Sequence, residues 1–268
     1  MKRLLKFMLT VITMLALITI ILTSLLIFHF WKDYKAGTES YAQILELAGQ
    51  APDISTPTEP GIDFDVLREV NPDLIGWIYM PGTRINYPIV QRHDDNEYYL
   101  NHLFDGTTNK AGCIFLDARC QLESQHTLIH GHNMANGSMF RDLNLYRNRD
   151  FLREHRYYLI LTPGKNYVVE IFGGVILRTD SPIWQISFSG HGDVQSWLTT
   201  CLDNAYVRGS LTPAVGDNIV TLSTCTYEYT QARWIVQGVL HDINDLSNEQ
   251  LIEIEKYIKE NIKNGQHE

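Results

Sequence analysis

The segment Thr221-Leu222-Ser223-Thr224-Cys225-Thr226-Tyr227 ends a β-type run, Asn218 to Thr224, with a cysteine at its exit into a loop. A strand end is a rigid platform for a loop-exposed nucleophile. A cysteine taken alone is more often a buried packing residue, so its companions must decide. Arg233 follows eight positions later, at the start of the run Trp234 to Leu240. If the two runs pair as an antiparallel hairpin, Cys225 and Arg233 face each other across its mouth. A guanidinium held there stabilises a developing oxyanion; the bland alternative is a surface ion pair. Upstream, Thr127-Leu128-Ile129-His130-Gly131-His132-Asn133-Met134 reads as a strand running into a glycine turn. A Cys–His pair needs its imidazole on a different element, near in space but not in sequence. His132, beside Gly131, suits that role. His130 is the alternative base, although within the strand it reads better as a pocket wall.

A different chemistry is open to the same histidines. His126, His130 and His132 are two or four apart, so in an extended strand all three point to one face. Such a face could hold zinc, which makes a zinc-dependent hydrolase the second expectation. No carboxylate or cysteine accompanies the trio at a recognised ligand spacing.

These residues resemble a known family, the class B sortases of Gram-positive bacteria. The resemblance rests on Thr221 to Cys225, on Arg233 eight residues later and on Gly131-His132-Asn133-Met134. It also rests on Asn86-Tyr87-Pro88-Ile89-Val90-Gln91, on Asn96-Glu97-Tyr98-Tyr99-Leu100 and on Gly112-Cys113-Ile114-Phe115-Leu116-Asp117. In order, it spans roughly Phe64 to Leu240. It implies a mainly β fold, an eight-stranded sortase β-barrel with peripheral helices, one of them between the sixth and seventh strands. It implies a membrane-anchored cysteine transpeptidase that cleaves a C-terminal sorting motif of Asn-Pro-x-Thr or related type after Thr, through a thioacyl-enzyme, with no cofactor. The partners implied are secreted proteins bearing that signal and an amine of a peptidoglycan cross-bridge or its lipid-linked precursor. By similarity Asn96, Leu100, His130, Ser223 and Thr224 line the substrate groove. The chain departs from many members at His130, where Tyr is frequent, and at Thr226, where an acidic residue often follows the cysteine.

The elements that must position this chemistry are legible by pattern. Eight short β-type runs separated by turn residues suggest a barrel or sandwich: Ile75–Met80, Ile85–Gln91, Gly112–Leu116, Thr127–His130, Tyr157–Thr162, Tyr167–Leu177, Asn218–Thr224 and Trp234–His241. Between the sixth and seventh, Val194, Trp197, Leu198, Cys201 and Leu202 form an apolar stripe on a helix over 192–205. Ser247 and Gln250 stand in capping-box spacing before Leu251, Ile254, Ile258 and Ile262, which predicts an amphipathic terminal helix over 244–268.

At the other end, Lys2, Arg3 and Lys6 precede an apolar stretch from Phe7 to Phe30 without Lys, Arg, Asp or Glu. That length crosses a membrane, and the basic flank orients the N-terminus to the cytoplasm and the domain outside. The division expected is a cytoplasmic tail over 1–6, a transmembrane anchor over 7–31, a helical and Pro-rich stalk over 32–62 and a catalytic domain over 63–243. Four cysteines in a domain this large are too sparse for a disulfide scaffold, so at least one is a working thiol. A formal charge of −9 with no basic stripe argues against nucleic acid as a partner.

Overall fold

The structure is a computed structural model that describes residues 2–49 and 61–265. All eight β-type runs form strands: β1 (Leu74–Tyr79), β2 (Asn86–Val90), β3 (Ile114–Leu116), β4 (His126–His130), β5 (Tyr157–Leu161) and β6 (Asn166–Arg178). A two-residue strand, β7 (Val207–Arg208), precedes β8 (Asn218–Cys225) and β9 (Ala232–Asp242). The sheet runs β5-β1-β2-β3-β4-β8-β9-β6, and β6 pairs back onto β5, closing an eight-stranded barrel. Only the pairs β2–β3 and β4–β8 are parallel. The unexpected β7 is an outer addition held against Gly173 and Gly174 of β6. Two residues cannot show alternation, so no sequence pattern announced it.

Alternation sorts the strands' side chains into an inside and an outside. Ile78, Ile89, Ile114, Leu128, Ile160, Val169, Val220 and Val236 belong to one buried cluster that draws on all eight barrel strands and so fills the barrel. On the outside, Phe172, Ile219, Ile235 and Val239 meet Val194, Trp197, Leu198 and Cys201 of the helix α4 (His191–Asp203). This is the helix expected between the sixth and seventh runs, and it lies between β6 and β8. Trp77, Leu159, Leu161 and Val168 face a further outer cluster with Leu67 of α2 (Phe64–Val70) and Ile254 and Ile258 of the terminal helix α5 (Asn248–Gly265). The predicted capping box forms there, Ser247 N–H donating to Gln250 Oε1 at 3.0 Å and Gln250 N–H to Ser247 Oγ at 3.3 Å. A short helix, α3 (Arg149–Glu154), leads into β5 and is capped by Asn148.

The N-terminal helix α1 runs without interruption from Lys2 to Ala48. Its apolar part is wholly unburied. Its last turns lie on the barrel instead of standing clear of it: Ile44 and Ala48 are buried, and Tyr34 and Tyr41 pack against the core. The Pro-rich stretch read as part of a stalk lies outside the described residues.

Candidate active site

Two backbone registers bring the predicted residues together. Across the antiparallel β8–β9 pair, Cys225 stands directly opposite Arg233. Across the parallel β4–β8 pair, His130 is opposite Ser223, and the ladder continues as Gly131 N–H donates to Ser223 O at 3.1 Å. Two residues further along in each case stand His132 and Cys225, which line one cavity. Asn133 ties that join, its Nδ2 donating to Cys225 O at 2.8 Å. Residue 131 must be glycine, because a Cβ there would meet Ile114 at 2.5 Å and Phe140 at 2.7 Å. Cys225 therefore sits at the end of a central strand between the histidine and the arginine.

A cavity of about 370 Å³ opens at this end of the barrel. Its lining includes Cys225, His132 and Arg233, together with all five residues that similarity assigned to the groove: Asn96, Leu100, His130, Ser223 and Thr224. His132 Nε2 lies 2.7 Å from Leu100 O. A carbonyl oxygen can only accept, so Nε2 carries a proton, and Nδ1 is the nitrogen left to exchange one. Arg233 donates through Nη1 to Ala232 O at 3.2 Å. Among the described residues no carboxylate forms a salt bridge with it.

The acid that could have neutralised Arg233 is engaged elsewhere. Glu228, in the loop after Cys225, pairs with Arg147 and accepts from the Thr226 hydroxyl, while Arg147 Nη2 also donates to Thr226 Oγ1 at 2.6 Å. Partial burial disfavours the Glu228 charge, but these two hydrogen bonds outweigh it and hold the carboxyl down at about 2. Thr226 thus braces the loop as a neutral acceptor and donor.

Sequence reasoning gave no role to Asp117, although an acid closing the apolar run 113–116 was a visible signal. It is 2% exposed and lines the cavity beside His130, whose Nε2 is 3.3 Å from its Oδ2. Burial opposes its charge, yet hydrogen bonds from Arg119 and His130 prevail and keep it well below the usual carboxylate range. Thr179 and Trp184, from the connection between β6 and α4, also wall the cavity. Their segment carries no periodic pattern that would have nominated them.

The zinc expectation is corrected here. His126 is fully buried with Nδ1 2.7 Å from Gln185 O and Nε2 2.8 Å from Thr221 Oγ1. His130 turns to Asp117, and His132 has left the strand for Leu100. The three rings do not converge, and among the described residues no three His, Cys, Asp or Glu could hold a metal ion. The other cysteines are equally remote from chemistry: Cys113, Cys120 and Cys201 are buried free thiols, and Cys225 is the partly exposed one.

The sortase domain family matches residues 78–241. Sortase B of Listeria monocytogenes is 34% identical over 237 residues, a match covering 83% of this chain and 95% of that protein. The chain belongs to the sortase family. Solved structures agree on the class. Sortase B of Bacillus anthracis, solved in complex with a compound named AAEK1, is 30% identical with a TM-score of 0.68, covering 79% of this chain and 99% of that one. Sortase B of Clostridium perfringens is 29% identical with a TM-score of 0.63, covering 67% of this chain and all of the other. This class B sortase is a cysteine transpeptidase of the cell-wall sorting type.

Proposed function

We propose that this sortase is a single-pass membrane enzyme whose extracellular barrel cleaves proteins carrying a C-terminal sorting motif of Asn-Pro-x-Thr or related type and transfers them to a cell-wall amine. The observation that carries the catalytic assignment is a convergence: Cys225 has Arg233 opposite it on β9, and His132, two residues past the His130–Ser223 pair of the β4–β8 ladder, lines the same cavity. The Cys225 thiol gives its proton to His132 Nδ1 and its sulfur attacks the Thr carbonyl carbon. Negative charge grows on the carbonyl oxygen, where the Arg233 guanidinium donates to it. As the peptide bond after Thr breaks, His132 returns the proton to the leaving amine and a thioester with Cys225 remains. An incoming amine attacks that thioester, loses a proton to His132, and departs as the new amide while the thiol is restored.

Membrane attachment is supported by α1, whose apolar stretch is long enough to span and is not buried in the protein. Lys2, Arg3 and Lys6 on its short side favour an internal N-terminus.

Quenched peptides spanning several sorting motifs, incubated with the purified chain with and without an amine, test the reaction. Cleavage confined to motifs with Thr before the scissile bond, with a ligated product when amine is present, is expected. Equal cleavage of peptides lacking that Thr would overturn the assignment. Protease added to intact cells should reach the barrel; full protection would overturn the topology.

A further inference from the structure

The helix α1 does not release the barrel where its apolar stretch ends, and the loop 101–111 meets it at that point. Asn109 donates from Nδ2 to Asp33 O at 3.0 Å, three residues past Phe30. Lys110 Nζ lies 4.4 Å from the centre of the Phe30 ring. A Cβ on Gly37 would stand 3.3 Å from Ala111 Cβ, so helix and loop approach closely. One turn further, Tyr41 donates to Gly112 O at 2.5 Å.

From these contacts we infer that loop 101–111 lies in the headgroup layer of the membrane, with phospholipid headgroups as its partner. The inference rests on the anchored reading of α1. As a helix, Phe7–Phe30 rises about 36 Å at about 1.5 Å per residue, enough for a hydrocarbon layer of about 30 Å, with a headgroup zone of about 5–7 Å beyond it on each side. Asp33 is only about 4.5 Å beyond Phe30 along the axis, so its partner Asn109 falls within that zone. Lys110, over the Phe30 ring, is at its inner edge.

The charges are mixed, as a zone of headgroups carrying both signs accommodates. At this level Asp33 has His29 beside it and Lys35 is paired with Glu39, while Lys32, Lys110 and the exposed Asp105 form no salt bridge among the described residues. An ammonium over an aromatic ring at the hydrocarbon boundary is the arrangement in which a lysine reaches up to a phosphate. The loop starts one residue after Leu100, whose carbonyl holds His132, and Asn109 N–H returns to Asn101 O at 2.9 Å. The Leu100 wall of the cavity is therefore joined to the membrane-facing loop. That suits an acceptor delivered on a lipid.

The test uses the full chain in vesicles of phosphatidylcholine and phosphatidylglycerol carrying one of two photoreactive lipids, reactive in the headgroup or at the acyl-chain end, with adducts mapped by mass spectrometry. The loop 211–217, which leads into the opposite end of β8 from Cys225, is the reference. Headgroup adducts in 101–111 several-fold above those in 211–217, with acyl-chain adducts in Phe7–Phe30, are expected. Acyl-chain adducts in α1 with equal headgroup labelling of the two loops would overturn the inference while leaving the anchor standing. Absence of acyl-chain adducts from Phe7–Phe30 would remove the anchor and the inference with it.

Discussion

The two ends of the β4–β8 pair hold the same kinds of residue under opposite conditions. At the closed end, His126 is sealed beneath Trp197 of α4. Gln185 O can only accept, so His126 Nδ1 carries the proton and Nε2 accepts from Thr221, whose oxygen also takes a hydrogen bond from Gln237 at 3.1 Å. Both nitrogens are committed. At the open end, His132 commits Nε2 to Leu100 and keeps Nδ1 for exchange. The difference teaches that an imidazole becomes an acid–base group here by leaving the ladder, and that the same strand buries another as structure.

The largest effect expected of this contrast concerns rate. His132→Ala should lower peptide cleavage by about 10²–10⁴-fold, the usual worth of positioned proton transfer, whereas His130→Ala, on the Asp117 side of the cavity, should alter chiefly which peptide is preferred. Steady-state kinetics on a peptide panel separates them, and the reverse pattern would transfer the role of base to His130.

Next in size is the effect on the neighbouring strand. Arg233→Lys keeps the charge but loses the planar fork of donors, so turnover should fall by about 10²–10³-fold with the melting temperature unchanged. Glu228 is already held by Arg147 and Thr226, so a bracing ion pair is not the competing role for Arg233. Near-normal turnover in the Lys variant would refute oxyanion stabilisation.

Much of this was legible beforehand. The eight β-type runs, the stripe of α4 and the Ser247–Gln250 cap carry local periodicity or spacing, and each element formed. The pairing of Cys225 with Arg233 was readable because a hairpin joins neighbours in sequence. The partnership of His132 with Cys225 crosses a parallel pair whose register no spacing encodes, so the sequence nominated His132 only by its place beside Gly131 just past a strand, and the resemblance agreed. Asp117 and Trp184 were missed because their contribution comes from what the barrel brings beside them. The docking of α1 on the barrel was hidden because its later turns, read as part of a helical and Pro-rich stalk, make it through only a few apolar residues, Tyr34, Tyr41, Ile44 and Ala48.

A smaller effect separates the two histidines by titration. Burial pushes His126 down to about 4 from the usual 6.5, partly offset by its hydrogen bond to Gln185. The unfolded chain binds a proton that the folded ring refuses, so its contribution to stability is complete above pH 6.5 and is lost as the pH falls toward 4. The full loss is on the order of 3 kcal/mol. Imidazole NMR signals should show His126 neutral down to about pH 4; a transition near 6.5 would contradict its sealed environment.

Cysteines give the same contrast and the most direct test. Burial pushes the Cys113 and Cys201 thiols up to about 12, only partly offset by the neighbouring Tyr41 hydroxyl and Gln237 amide, so neither supplies thiolate at neutral pH. Intact-mass measurement and peptide mapping of the full chain, quenched during turnover of an Asn-Pro-x-Thr peptide, should find one acyl group, ending in Thr, on Cys225. Added amine should remove it, and Cys225→Ala should form none. An acyl group on any other residue, or cleavage persisting in Cys225→Ala, would contradict the central claim.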